Sequence, residues 1–298
     1  MLSSDDFTQV TLESKPLFDT YYKKYPPIHS DNVFATMVAW NEYAHYEYVF
    51  FDEVLILKVT VDGIVQFRPP IGRFNKVTFD MLMKLAKKEG SDYPISLITD
   101  DVKEWIEKNY NSISFAALPE YADYVYRCKD LASLEGSDYR KIRNRLNKFV
   151  KNFNYETETI SEDNISEVKQ FLKRWCIWRE CEDDPLLSYE KKAVMFSTDY
   201  FTELGLSGIA IRVNDQIEAI SIFEQMSPDT LVVHFEKGSP YYDGIYKVVN
   251  METARIVEGD VAFINRESDM GNPGLRKAKK SYRPHHMIQV YKMENVTK

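Results

Sequence analysis

A chain of 298 residues with 44% hydrophobic content can bury a substantial core, and its length suits two ordinary domains better than one. A formal net charge of −8 and an acidic start, MLSSDDFTQV, exclude a uniformly basic nucleic-acid binder and a secretory leader of the usual basic and apolar build. The longest apolar runs, Val54 to Val61 and Ile217 to Phe223, are broken by Lys58 and Glu218 and fall far short of the ~20 residues that a membrane-crossing helix needs, so a cytoplasmic protein is expected.

In chain order, Pro16 to Tyr25 has the spacing of a short amphipathic helix stopped by Pro26 and Pro27, and Asn32 to Tyr43 predicts a second helix. Val54 to Val61, Asp62-Gly63 and Ile64 to Phe67 form the clearest hairpin, because Asp-Gly supplies the positive φ angles of a two-residue turn. Phe79 to Lys88 is helical by spacing, Ile95 to Thr99 reads as a strand, Val102 to Asn109 as a helix, and Tyr124 to Tyr126 as part of a strand. Tyr139 to Phe153 is a helix with two faces. Ile142, Leu146, Phe149, Val150 and Phe153 share one stripe, and Arg140, Arg143, Asn144, Arg145, Asn147, Lys148 and Lys151 lie opposite. No acid interrupts Tyr139 to Lys151, whereas Glu180 to Asp184 and the N-terminus are acidic; local fields of this kind, rather than net charge, guide a polyanion.

Thr157 to Asn164 is polar and reads as a linker. Helices follow at Ile165 to Arg179 and Tyr189 to Leu204, then strands Gly208 to Val213, Ile217 to Gln225 and Leu231 to Phe235, helix Gly244 to Val257, strand Val261 to Ile264, basic helix Leu275 to Arg283 and strand Met287 to Tyr291. The first half also leads from helices into a strand, tight turn and strand, which points to an internal duplication within an α/β fold of mixed sheets.

The cysteines Cys128, Cys176 and Cys181 are odd in number and lack CxxC spacing, so reduced thiols are expected rather than a disulfide framework or a thiolate zinc site. His285 and His286, if both lie on a strand, point to opposite faces and do not share a metal; no metal site is expected. The chain has no Gly-x-Ser-x-Gly elbow, GxxxxGK[ST] loop or HExxH helix.

Residues 261–284, VAFINRESDMGNPGLRKAKKSYRP, pass from a β-branched strand into a crowded polar turn and then a helix carrying Arg276, Lys277, Lys279 and Lys280 with no acid. An isolated charge run is usually a solvated loop. Polar groups at the C-terminal edge of a strand that feeds a helix, however, sit where open α/β sheets hold ligands.

The element order of the second half resembles an acetyltransferase-type (GNAT) domain, in which two neighbouring strands splay and the acyl donor enters between them. Here those strands would be Leu231 to Phe235 and Val261 to Ile264, with Gly238 to Gly244 as the phosphate-facing loop. The segments AWNEY (Ala39 to Tyr43), DYRKIRNRLNKF (Asp138 to Phe149), HFEKG (His234 to Gly238), GIYKVVN (Gly244 to Asn250) and INRESDMGNPGLRKAKKSYRP (Ile264 to Pro284) resemble, in order, the family built on the C-terminal domain of phosphatidylglycerol lysyltransferase. The resemblance implies two tandem GNAT-like (acyl-CoA N-acyltransferase) domains joined by a basic helix, at 1–135, 136–156 and 157–298, and a kinship with Fem-type transferases that take aminoacyl-tRNA as donor.

Aminoacyl transfer needs an acceptor held in line with an ester carbonyl, donors for the developing oxyanion and cations for the donor's phosphates. Lys237, Arg266, Arg276, Lys277 and Lys279 suit phosphate or negative charge; Glu236, Glu267 or Asp269 suits orienting or deprotonating the acceptor; Tyr242 or Tyr282 suits proton donation. Asn265 belongs to the same catalytic set, and Gly238, Gly244 and Tyr246 to the donor-facing loop. No cofactor is expected beyond the donor substrate. The leading expectation is an aminoacyl-tRNA-dependent transferase with tRNA tracked along the basic helix and an acceptor that is a small molecule, peptide or lipid head group. An acyl-coenzyme A-dependent N-acyltransferase is the alternative, weakened because KGSPYYDGIY does not reproduce the Q/R-x-x-G-x-G/A pyrophosphate pattern, and a non-catalytic binding module is the third.

Overall fold

The computed structural model describes residues 2–89, 95–111 and 113–294, in two compact units: Met1–Asp123 with Ile288–Lys298, and Tyr124–Met287. The first unit runs through β1 (Thr8–Gln9), α1 (Lys15–Tyr22), α2 (Phe34–Ala39), β2 (His45–Phe51), β3 (Val54–Val61), β4 (Ile64–Phe67), α3 (Lys76–Lys88), β5 (Ile98–Thr99), α4 (Asp100–Asn109) and β6 (Ser114–Ala117). Strands β1 to β4 form an antiparallel sheet in sequence order. The Asp62-Gly63 hairpin is as expected, with φ of 50° and 77° at its two central residues. Phe67, Phe79, Leu82, Ile98 and Ile106 fill the core of this unit together with Met293 from the chain's last strand. Strand β2 (HYEYVFF) escapes sequence reading because its aromatics do not alternate with polar residues.

The second unit continues with β7 (Asp123–Arg127), α5 (Cys128–Ser133), α6 (Arg140–Asn152), β8 (Tyr155–Thr159), α7 (Ile165–Trp178), α8 (Pro185–Asp199), α9 (Phe201–Leu204), β9 (Ser207–Val213), β10 (Gln216–Ser227), β11 (Thr230–Gly238), α10 (Ile245–Ile256), β12 (Phe263–Asn265), α11 (Pro273–Ser281) and β13 (His286–Ile288). Its seven strands stand in the order β13-β7-β12-β11-β10-β9-β8. Strand β14 (Val290–Glu294) belongs instead to the first unit, between β5 and β6.

Several expectations are corrected. The basic helix is not a linker between units: Ile142, Leu146 and Phe149 of α6 bury against Ile245, Val248 and Val249 of α10 inside the second unit. The break at 135/136 falls instead at Asp123/Tyr124, because β7 joins the second unit's sheet through β12, and the chain's last strand leaves that unit altogether. Part of the supposed linker at 157–164 is β8, an edge strand paired from Tyr155↔Val213 to Thr159↔Ile209, whose largely exposed YETET reads as loop. Cys176 and Cys181 are joined in a disulfide across the turn that ends α7, leaving Cys128 free and buried. His285 precedes β13, so its ring turns toward His286 and the two Nδ1 atoms lie 2.9 Å apart, with Arg127 3.1 Å from His285 Nε2. Among the described residues, no group of three or more His, Cys, Asp or Glu could hold a metal, and no helix is long and apolar enough to cross a membrane.

Gly244 controls how closely α6 approaches α10. Its φ is 104°, and a Cβ there would meet the Arg145 carbonyl oxygen at 2.9 Å and Phe149 Cβ at 3.1 Å. Gly244→Ala should lower unfolding stability by roughly 2–4 kcal/mol, from a strained φ plus overpacking. Gly63→Ala, at φ 77° with nothing within 4 Å of the added Cβ, should cost only about 1 kcal/mol. Urea unfolding of the two variants checks the difference.

Candidate active cleft

Strands β11 and β12 pair in parallel at Thr230↔Phe263, Leu231↔Ile264 and Val232↔Asn265, after which β12 ends while β11 runs on to Gly238. Leu231 and Ile264, expected to splay apart, are therefore paired, and beyond Val232 no β12 pairing accompanies β11. Just past that point, β11 carries an extra residue: Phe223 faces Val233 and Ile222 faces Phe235, so His234 is the residue of a β-bulge. A bulge inverts the alternation of side chains beyond it. Leu231 and Val233 face α10 before the bulge, and Glu236 faces α10 after it, where the Asn250 side chain donates to its Oε1 at 3.2 Å.

Around Glu236 the cleft is assembled from three elements. Arg266, the first residue after β12, forms an ion pair with Glu236 and lies between the rings of Tyr282 and Tyr126, 5.1 and 5.8 Å from their centroids. Arg266 Nε and Nη1, the Tyr282 hydroxyl and Asn250 Oδ1 are buried without a hydrogen-bond partner. Buried polar groups left unpaired are costly, so a guanidinium with unused donors here is poised for an anionic or carbonyl ligand. Lys247, on the first turn of α10, sits 4.8 Å over the Tyr282 ring; burial first, and then the Arg266 charge, push its ammonium down to about 8. Burial likewise pushes the Tyr126 and Tyr282 hydroxyls up.

The bulge residue is itself clamped. His234 Nε2 lies 2.9 Å from Glu224 and Nδ1 lies 3.0 Å from Glu267. Burial works against its charge, but the hydrogen bonds that its two N–H groups donate to Glu224 and Glu267 prevail and raise it to about 9. Glu267 takes a left-handed φ of 57°, held by its own N–H donating to Asn265 Oδ1 at 2.7 Å. Lys279 donates to the carbonyls of Arg266 and Glu267, and the Tyr126 hydroxyl donates to the Lys279 carbonyl at 2.9 Å. Asp269, fully buried, receives Arg276 through two bonds of 2.8 and 2.9 Å, the Tyr124 hydroxyl at 2.7 Å and the Gly271 N–H at 3.0 Å. Burial would raise its carboxyl, yet the bonds from Arg276 and Tyr124 hold it below the usual range.

The structure thus gathers Glu236, Asn265, Arg266, Glu267 and Tyr282, and separates other members of the expected set. Lys237, one residue beyond Glu236, faces the opposite side of β11, where its Nζ is 2.6 Å from Glu190 and 4.2 Å over the Trp175 ring. Asp269, Arg276 and Lys279 are engaged in holding the turn, Arg276 on the Asp269 carboxylate and Lys279 on the carbonyls of Arg266 and Glu267; Lys277 is exposed. In the donor loop, the Tyr246 ring lies 3.1 Å from a Cβ built on Gly238, its hydroxyl accepts from the Trp175 indole at 3.3 Å, and Tyr242 packs on Phe153. Gly244 caps α10. On α6, Arg140, Asn144, Arg145, Asn147, Lys148 and Lys151 are exposed, Lys148 3.3 Å from Asp243. Arg143 instead donates to the carbonyls of Leu134 and Gly136, clamping the turn before its own helix. Sequence reading named neither Lys247 nor Asn250 as a site residue; the available signal was two polar residues three apart in an otherwise apolar helix face.

A family model described as phosphatidylglycerol lysyltransferase, C-terminal, matches residues 22–294. The crystal structure of a conserved protein of unknown function from Bacteroides thetaiotaomicron VPI-5482 shares the fold at a TM-score of 0.90 and 28% identity, over 96% of this chain and 98% of that one. A C-terminal DUF2156 domain from Agrobacterium fabrum matches at 0.70 and 11% identity, over 95% and 92%. A tandem GNAT protein from the clavulanic acid biosynthesis pathway matches at 0.50 and 9% identity, over 98% and 99%. These last two likenesses are of fold alone. The uncharacterized protein MYCGA3080 of Mycoplasmoides gallisepticum is 23% identical over 193 residues, 63% of this chain and only 60% of that protein.

The His234 clamp predicts a pH-dependent stability. Because the folded value, about 9, lies above the ordinary 6.5, its contribution is full below pH 6.5 and is lost as pH rises through 9. The stability gap between the native protein and His234→Gln should narrow by on the order of 3 kcal/mol between pH 6 and pH 9.5, measured by urea unfolding. A gap that stays constant over that interval contradicts a charged imidazole.

Proposed function

The chain belongs to the phosphatidylglycerol lysyltransferase C-terminal family and has the tandem GNAT-like acyltransferase fold, and from that premise we propose that it moves an aminoacyl group from an aminoacyl-tRNA to an amine or hydroxyl acceptor at the site around Glu236 and Arg266, where the pairing of β11 with β12 ends. One observation carries the choice of donor. The exposed cationic face of α6 leads to the first turn of α10, with the Arg145 backbone against Gly244, and that turn brings Lys247 to the cleft. A phosphate track and a reaction cleft therefore share an edge. The ring of Tyr246, packed over Gly238 at the end of β11, supports tRNA over coenzyme A, whose pyrophosphate would need that loop open.

In this reading the acceptor's nitrogen or oxygen attacks the ester carbonyl. The new bond forms as the bond to the terminal ribose oxygen breaks, and the acceptor's proton passes to a base and on to the leaving ribose. Lys247, held near 8, has a neutral fraction at physiological pH and serves as that base. The unused donors of Arg266 face the developing oxyanion, and Glu236 with Asn250 fixes the plane of the guanidinium.

Filter binding of charged tRNA tests the track. Replacing Arg140, Arg145 and Lys148 together by Glu should weaken binding and flatten its salt dependence by about two to three counterions, since each phosphate contact contributes roughly 0.7–0.9 to the slope. Unchanged binding and slope, or tight saturable binding of acetyl-coenzyme A in calorimetry, sinks the proposal. For the cleft, the rate of aminoacyl transfer to a surrogate amine should rise with pH and level off above about 8, and Lys247→Met should lose both the pH dependence and about 10²–10⁴-fold in rate while retaining tRNA binding.

A further inference from the structure

Across β11 from Glu236, a pocket opens between α7, α8 and the strand, with Leu172, Trp175, Cys176, Val194 and Met195 as its apolar walls and Lys237 at its base. Its cavity volume is about 60 Å³, room for the few heavy atoms of one small apolar side chain rather than a lipid tail. Lys173 and Lys191 stand at its edge. The one acid lining it, Glu190, is already engaged with Lys237 at 2.6 Å, and Lys191 is paired with Glu182. The ammonium of Lys237 is further held 4.2 Å over the Trp175 ring, so the pair has little reason to part.

Lys237 follows Glu236 directly, which sets this pocket and the cleft back to back across a single strand. Beyond Val232 no β12 pairing seals that edge of the strand, where the side chain of Glu267 meets His234 instead. Trp175, one wall of the pocket, also donates its indole N–H to Tyr246 on the first turn of α10, 3.3 Å away, tying the pocket to the donor side of the cleft. We infer that the pocket is the subsite for the side chain of the transferred amino acid, and that it selects an uncharged apolar side chain and rejects a lysyl one. The inference rests on the aminoacyl-donor reading. An apolar side chain gains burial against Leu172, Val194 and Met195. A lysyl ammonium meets three lysines and no available carboxylate.

The test uses the intact protein and stable 3′-aminoacylamido-adenosines, in which an amide replaces the labile ester, with binding followed by calorimetry. The leucyl compound should bind about 10- to 100-fold more tightly than the lysyl compound. Met195→Trp, which fills the pocket, should abolish the leucyl preference, and Lys173→Glu at the exposed rim should tighten the lysyl compound and narrow the gap; urea midpoints establish that both variants are folded. Equal or tighter lysyl binding to the native protein overturns the inference, as does a leucyl preference that survives in folded Met195→Trp. If the native protein binds neither these compounds nor charged tRNA, the donor reading itself falls and takes the inference with it; binding of charged tRNA without leucyl preference leaves the donor reading standing and removes only the pocket's role.

Discussion

The single extra residue at His234 is the constraint from which the cleft follows. Without the bulge, strict alternation would aim residue 236 at α7 and α8 and residue 237 at α10, placing a lysine beside Arg266 and leaving the carboxylate on the far face. A bulge in mid-sheet weakens the ladder, and here two carboxylates on neighbouring segments, Glu224 and Glu267, hold the imidazole between them. The same Glu267 adopts a left-handed backbone that a glycine would take more easily, which marks a position where chemistry has prevailed over local preference. Bulge, clamp and strained residue form one device.

A second device fixes the far wall. Arg266 must present its guanidinium while its carbonyl and that of Glu267 are gripped by Lys279, and the turn that follows is closed around buried Asp269 by Arg276, Tyr124 and Gly271. Such a network is rigid because each member is satisfied by another, and removing one leaves a buried charge without compensation. Of the seven buried side-chain atoms without a hydrogen-bond partner among the described residues, four, Arg266 Nε and Nη1, the Tyr282 hydroxyl and Asn250 Oδ1, lie around Glu236, and the other three are at Asn32, Glu218 and Ser221.

Much of this was legible in the sequence. The segment from Asn265 to Asp269 announced itself by charge crowded onto a strand end, and α6 by an acid-free cationic face. What was not legible turned on facts that composition cannot carry. The bulge has no sequence signature, so Glu236 and Lys237 looked like equal partners when they lie on opposite faces. The lysines and arginines of the last basic helix looked alike, yet Arg276 and Lys279 are drawn inward by partners seven to thirteen residues away while Lys277 remains in solvent. Arg143 sat in the cationic stripe by spacing, but two backbone carbonyls claim it. Lys247 has no sequence mark that sets it apart; its burial, and then the nearby charge of Arg266, give it a depressed basicity.

The last strand, β14, threads between β5 and β6 and delivers Met293 to the core of the unit that the chain began. During synthesis the first unit therefore waits. All of residues 124–287, enough for the seven-stranded sheet, emerge before the strand that completes the opening unit's small sheet is available. The order of folding is thus expected to run against the order of the chain, with the later unit closing first and the earlier one holding exposed apolar surface until the end, the interval in which such a chain is most open to misassembly.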